Sequence, residues 1–106
     1  ITFGSPRVGD STWTKYMWSC GFNGNVNQHS NHYRRWVNKA DVVPHLPPRA
    51  LGFRHSPQEF WIDMSGEVNV CSAVDGEDDT CSRSLIVANS LVDHLSIFGH
   101  LFGPFC

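Results

Sequence analysis

Residues 36–48 read WVNKADVVPHLPP, and the rest of the chain is best read outward from them. A strand-like apolar run ends on Asp41. The loop behind it holds three prolines (Pro44, Pro47 and Pro48), two valines and a leucine. Surface loops are usually polar, so a stiff apolar loop with a carboxylate at its mouth needs a reason. In open α/β sheets, ligands bind beyond the carboxyl ends of the strands, which makes Asp41 a candidate functional acid. The plainer alternative is a cap, in which the aspartate accepts a backbone N–H of its own loop.

The flanking sequence supplies the sheet. ITFG (1–4) reads as a short buried strand ended by Gly4 and Pro6, and YRRWVN (33–38) alternates in strand fashion. Between them, DSTWTKYMWSC (10–20) reads as a helix with Asp10 or Ser11 as N-cap and Gly21 as its stop. GFNGNVNQHSNH (21–32) is a polar loop rich in glycine and asparagine. QEFWIDM (58–64) and EVNVC (67–71) form a strand pair around a turn at Ser65–Gly66. SLVDHLSIFG (90–99) is expected to be a short helix, or a loop entering one, ending at Gly99. Early alternation of strand and helix followed by a hairpin predicts the last part of an α/β sheet, with residues 1–106 as part of one domain.

Composition excludes several classes. The chain has 106 residues, 41% hydrophobic and 17% charged, with four Trp and seven Phe, which is globular and aromatic-rich. A formal net charge of -2 gives no electrostatic reason to expect nucleic acid or an anionic membrane surface. There is no apolar run of roughly 18 residues to span a bilayer. The strand at Ile1 and the apolar GHLFGPFC at the other end suggest a chain that begins mid-domain and docks onto something larger.

Four cysteines, at 20, 71, 81 and 106, form no CxxC pair and fit an oxidising compartment better than a zinc site. Cys71 and Cys81 bracket a polar loop and could close as a local disulfide, contributing roughly 2–3 kcal/mol. Cys20 and Cys106 are left to pair with each other or elsewhere. The acidic run DGEDD (75–79) lacks the alternating oxygen ligands of a calcium loop and reads as a solvated turn. Of six histidines, His29 and His32 form a weak HxxH signal in the polar loop, while His55 and His100 have no obvious partner. His45 lies within the proline loop. His94 differs, sitting among Leu91, Val92, Leu95, Ile97 and Phe98, and its neighbour Asp93 is poorly placed to orient it.

Asp41 followed by His94 is the order of the second and third members of an α/β-hydrolase triad. In that chemistry the histidine takes a serine's proton, and the acid fixes the imidazole tautomer. A GxSxG serine should precede them, and none occurs in these 106 residues.

TFGSPRVGD, RRWVNKADVVPHLPP, LGFRHSPQEFWI, VNVCS, CSRS and VDHLSIFG follow one another as in the carboxy-terminal part of fungal class 3 lipases. The chain resembles the secreted triacylglycerol lipases of filamentous fungi more than the feruloyl esterases of the same superfamily. The resemblance implies the carboxy-terminal portion of an α/β-hydrolase sheet with flanking helices, completed by upstream residues or a companion chain. It makes Asp41 the triad acid and His94 the general base, with Val43, Pro47, Leu91, Val92, Leu95 and Phe105 along the acyl groove. Cys71–Cys81 matches a family disulfide, and Cys106 matches a cysteine that bonds to one near the enzyme's start.

The implied activity is hydrolysis of acylglycerol esters by a secreted enzyme that needs no cofactor or metal. The serine would come from the upstream segment or companion chain, disulfide-linked through Cys106, and the substrate would be a lipid or ester at an interface. The apolar loop then has its reason, since each buried CH₂ of an acyl chain is worth about 0.8 kcal/mol and proline fixes the wall in advance. The alternatives are a non-catalytic lipid- or carbohydrate-binding protein on the same scaffold, and a feruloyl-type esterase.

Overall fold

A computed structural model of the chain describes residues 1–17, 33–72 and 76–101. Its sheet has four strands in the order β1 (Thr2–Phe3), β2 (Arg35–Asn38), β3 (Glu59–Ile62) and β4 (Val68–Val70). The first three are parallel and β4 returns antiparallel. Helix α1 (Ser11–Met17) follows β1, and Asp10 caps it by accepting the N–H groups of Thr12 at 2.9 Å and Trp13 at 2.8 Å. The expected polar loop at 21–32, the helix stop at Gly21, and Cys20, His29, His32, Phe105 and Cys106 lie outside the described residues.

Strand alternation gives the sheet two unlike faces. On one, Val37 and Trp61 pack with Cys71 and Cys81, and Leu85 closes over them. Cys71 and Cys81 are joined by a disulfide. Arg35 and Glu59 occupy the same face and register, 1% and 4% exposed, with Nη2 of the arginine donating to Oε2 at 2.8 Å. Arg35 also donates to the Gly76 carbonyl at 3.0 Å, while its Nε and Nη1 have no partner among the described residues. The other face carries aromatic rings. Trp36 stacks on its cross-strand partner Phe60 at 4.9 Å and meets the edge of Phe98 at 5.2 Å.

The β3–β4 turn is organised by Asp63, whose Oδ1 accepts from the Ser65 hydroxyl at 2.6 Å and from the Ser65 and Glu67 N–H groups. The Ser65 hydroxyl, then the Asn69 amide, hold the Asp63 carboxyl down at about 2. Gly66, at φ +93°, supplies the left-handed residue the turn requires.

Two expectations are corrected. Residues 96–101 form a β-hairpin, β5 (Ser96–Ile97) with β6 (His100–Leu101), instead of ending a helix. Its two-residue turn is Phe98–Gly99, with φ of +50° and +76°, the signs a tight hairpin turn needs. Phenylalanine is unusual there, and its ring contact with Trp36 accounts for it. The described part of the acidic run, residues 76–79, is not simply a solvated turn either. Glu77 is 6% exposed and ion-paired with Arg7, because the backbone at Gly76 lies directly against His55 and Ser56, where a Cβ would collide.

Truncating Glu59 to Ala would leave the Arg35 charge buried without its counter-ion. The expected cost is about 3–5 kcal/mol in the urea unfolding of the full-length protein. Replacing both residues together, as Arg35→Met with Glu59→Leu, should cost much less.

Candidate active site

Strand β2 positions the site twice. Just beyond its end, Lys39 takes φ +45° and Asp41 N–H closes the turn onto the Asn38 carbonyl at 3.0 Å. Asp41 then pairs in parallel with Ser90: Ser90 N–H reaches Ala40 O at 3.0 Å and Val42 N–H reaches Ser90 O at 3.3 Å. This brings residues 90–97 alongside. Ser90 Oγ accepts the Asp93 N–H at 3.0 Å, and the Asn38 amide donates to the carbonyls of Asp93 at 3.1 Å and Ser96 at 2.6 Å. The turn that bears His94 is thus held on both sides by the last residue of β2.

His94 Nδ1 lies 3.0 Å from Asp41 Oδ2, and Val43 N–H donates to Asp41 Oδ1 at 2.9 Å. Capping and orienting were alternatives for Asp41 in the sequence; the two carboxylate oxygens divide them. With the carboxylate ionised it can only accept, so the imidazole proton sits on Nδ1 and Nε2 is left as the basic nitrogen. Nε2 has no hydrogen-bond partner among the described residues, and the His94 side chain is 31% exposed while that of Asp41 is 1% exposed. Burial pushes the Asp41 carboxyl above its ordinary value, and the Val43 N–H and the His94 ring offset part of that rise.

Two further residues crowd this pair, and the sequence did not single out either for it. Gly4, at the end of β1, donates its N–H to Trp36 O at 2.8 Å with φ +58°. A Cβ there would fall 2.6 Å from His94 Nδ1 and 2.7 Å from Asp41 Oδ2. Only its place directly after a short strand could have marked it in the sequence. His45 places Nδ1 3.1 Å from the Asp41 carbonyl and Nε2 3.3 Å from the Ser82 carbonyl, bracing the acid from behind.

The expected acyl-groove residues are less closely gathered. Leu91, Val92 and Leu95 flank His94 and are 64%, 72% and 40% exposed. Val43 and Pro47 are half-buried in the loop behind Asp41. A cavity of about 350 Å³ lined by Asn38, Lys39, Ile62, Phe98 and Gly99 among others touches neither Asp41 nor His94.

Residues 1–51 match the family model for lipase (class 3). A lipase of Rhizomucor miehei is 47% identical over 100 residues, covering 92% of this chain and 25% of the relative. A lipase of Rhizopus niveus is 38% identical over 99 residues, covering 92% and 23%. The chain belongs to the class 3 lipases. Among solved structures, a triacylglycerol lipase whose catalytic centre is formed by a serine protease triad superposes with a TM-score of 0.78 at 45% identity. That match covers 96% of this chain and 36% of the other, and the sheet is part of an α/β-hydrolase fold. The chain therefore spans about a quarter of the curated lipases it matches and about a third of the solved one.

Gly4→Ala should part the His94–Asp41 contact in this lipase fold. The left-handed backbone alone should cost about 1–2 kcal/mol. Loss of the downfield Nδ1–H proton resonance of His94, in a variant that still folds, is the expected signature.

Proposed function

We propose that this chain carries the acid and the base of a Ser-His-Asp hydrolase that cleaves the carboxylic esters of acylglycerols. The observation that carries the reading is the 3.0 Å Nδ1–Oδ2 contact between a buried Asp41 and a His94 whose other nitrogen is open. The triad named for the solved triacylglycerol lipase supports it. Residues 1–106 are then the carboxy-terminal part of one hydrolase domain. The nucleophilic serine, in a GxSxG elbow, lies outside these residues and is brought to Nε2 by an upstream segment or a companion chain, with Cys106 as the covalent link. The Cys71–Cys81 disulfide favours secretion.

His94 Nε2 takes the serine proton as its oxygen attacks the ester carbonyl. The imidazolium that forms is stabilised by the Asp41 carboxylate and returns the proton to the leaving alcohol. Water then repeats the sequence on the acyl-enzyme, with His94 again as base. Val43, Pro47, Leu91, Val92 and Leu95 supply apolar surface for the acyl chain, each buried CH₂ adding about 0.8 kcal/mol.

In the full-length protein His94→Ala should lower ester hydrolysis about 10³-fold or more with the fold intact. A folded His94→Ala variant of near-normal kcat would overturn the reading and favour a binding protein on this scaffold.

Asp41→Asn separates catalysis from stability. The raised carboxyl means that the folded state holds its proton more tightly than the unfolded chain. The ionised form therefore costs stability, and the cost appears as pH rises from the ordinary value through the raised one. The neutral amide removes it, so Tm at neutral pH should stay level or rise while kcat falls about 10⁴-fold through the wrong imidazole tautomer.

Val43→Asp should weaken hydrolysis of long-chain esters more than short ones, since it puts a charge against the acyl chain. Equal losses on both would make Val43 structural only.

A further inference from the structure

The loop behind Asp41 is gripped at four successive carbonyls. Arg7 Nη1 donates to His45 O at 2.6 Å and to Pro47 O at 3.1 Å, and the Arg7 backbone N–H donates to Leu46 O at 2.7 Å. His55 Nε2 donates to Pro44 O at 2.6 Å. Both gripping residues are held by one carboxylate. Glu77 Oε1 accepts from Arg7 Nε at 2.8 Å and from the His55 N–H at 2.9 Å, and Oε2 accepts from Arg7 Nη2 at 3.0 Å. Arg7, His55 and Glu77 are each 6% exposed. Glu77 itself lies inside the ring closed by Cys71–Cys81.

This network ends on the acid. The gripped segment begins one residue after Val43, whose N–H fixes Asp41 Oδ1 and so aims Oδ2 at His94. We infer that Glu77, acting through Arg7 and His55, is a positioning residue for Asp41. The disulfide ring is then the anchor from which the triad acid is aimed. The inference rests on the hydrolase reading above.

The chemistry favours positioning over mere cohesion. A buried ion pair is no better for stability than well-packed apolar side chains. What a guanidinium fork and a carboxylate supply is fixed geometry, two parallel bonds to one partner and directed N–H groups to another. Apolar packing would leave the carbonyls of Pro44, His45 and Pro47 free to shift.

The charge states suit the task. Burial works against ionisation of Glu77, but the Arg7 hydrogen bond, the His55 N–H and the Arg7 charge outweigh it and hold the carboxyl below its ordinary value. Arg49 Nε, 3.5 Å from Oε2, adds a second cation, and Arg83 donates to the Glu77 carbonyl. Burial, then the Arg35 charge, lower His55 to about 3, so its ring stays neutral and its proton serves Pro44. A depressed carboxyl contributes above its unfolded value and is lost as pH falls through the folded one, so acid and not base releases the clamp.

The test uses the full-length protein and a short soluble ester. Glu77→Gln and Arg7→Lys should each lower kcat roughly 10–100-fold, the scale of a misplacement of about 1 Å, with KM within about twofold of the parent. The downfield Nδ1–H resonance of His94 should broaden or vanish in both. If Glu77→Gln does not fold, Arg7→Lys decides alone, since it keeps the charge facing Glu77 but cannot span the carboxylate and both carbonyls. A folded variant with kcat within about twofold, or a loss carried by KM, would overturn the inference. His94→Ala runs alongside: activity lost there but kept in Glu77→Gln overturns the clamp only, whereas activity kept in His94→Ala overturns the triad reading and the clamp's role with it.

Discussion

A carboxylate removed from water must be given donors, and Asp41 is 1% exposed. Much of the local architecture follows from that demand. Val43 N–H serves one oxygen and His94 the other, so the loop behind the acid and the turn bearing the histidine are both tied to it. The parallel bridge to Ser90 and the Asn38 amide bring that turn to the end of β2. At the end of the neighbouring strand β1, glycine at position 4 leaves room for the contact. Three separate segments of sequence thus converge on one hydrogen bond.

The sheet separates two kinds of material around this point. One face buries charge, Arg35 against Glu59, beside the disulfide and Val37. The opposite face presents Trp36, Phe60 and Phe98. Alternation along β2 is enough to produce this division, because Arg35 and Val37 point one way while Trp36 and Asn38 point the other. Asn38, the last residue on the aromatic side, uses its amide on the His94 turn. The strand that separates charge from rings therefore also places His94.

Legibility from sequence followed the range of the interactions. Strand periodicity, a helix cap at Asp10 or Ser11 and the turn at Ser65–Gly66 are local, and they were readable; the structure places the cap on Asp10. Asp41 and His94 were readable as a pair through their order and their apolar settings. The 90–99 segment misled because its apolar spacing suits a helix, while the hairpin depends on Phe98 adopting a left-handed backbone against Trp36. Glu77 was hidden for the same kind of reason. Five acidic and glycine residues in a row read as solvent-facing, and only the close approach of Gly76 to His55 and Ser56 turns one carboxylate inward. Its partners, Arg7 and His55, lie 70 and 22 residues away, beyond any local pattern.

Asp41 and Glu77 are both buried carboxylates, yet they respond oppositely, one raised and the other lowered from its ordinary value. The difference lies in what faces them. Glu77 meets the permanent charge of Arg7, which with the His55 N–H outweighs burial and holds it ionised, and Arg49 Nε lies 3.5 Å from it. Among the described residues, Asp41 is ion-paired with no arginine or lysine; the side chain within bonding distance is His94, which carries charge only when protonated. An arginine beside Asp41 would make the acid more comfortable in the resting fold. It would also cancel the field that a charged His94 ring would feel. Catalysis gains only from interactions stronger in the transition state than in the ground state. Under the proposed hydrolase reading, a carboxylate left without a permanent counter-ion, beside a histidine that becomes cationic as the reaction proceeds, meets that condition, and the discomfort of Asp41 in the resting protein is the physical form it takes.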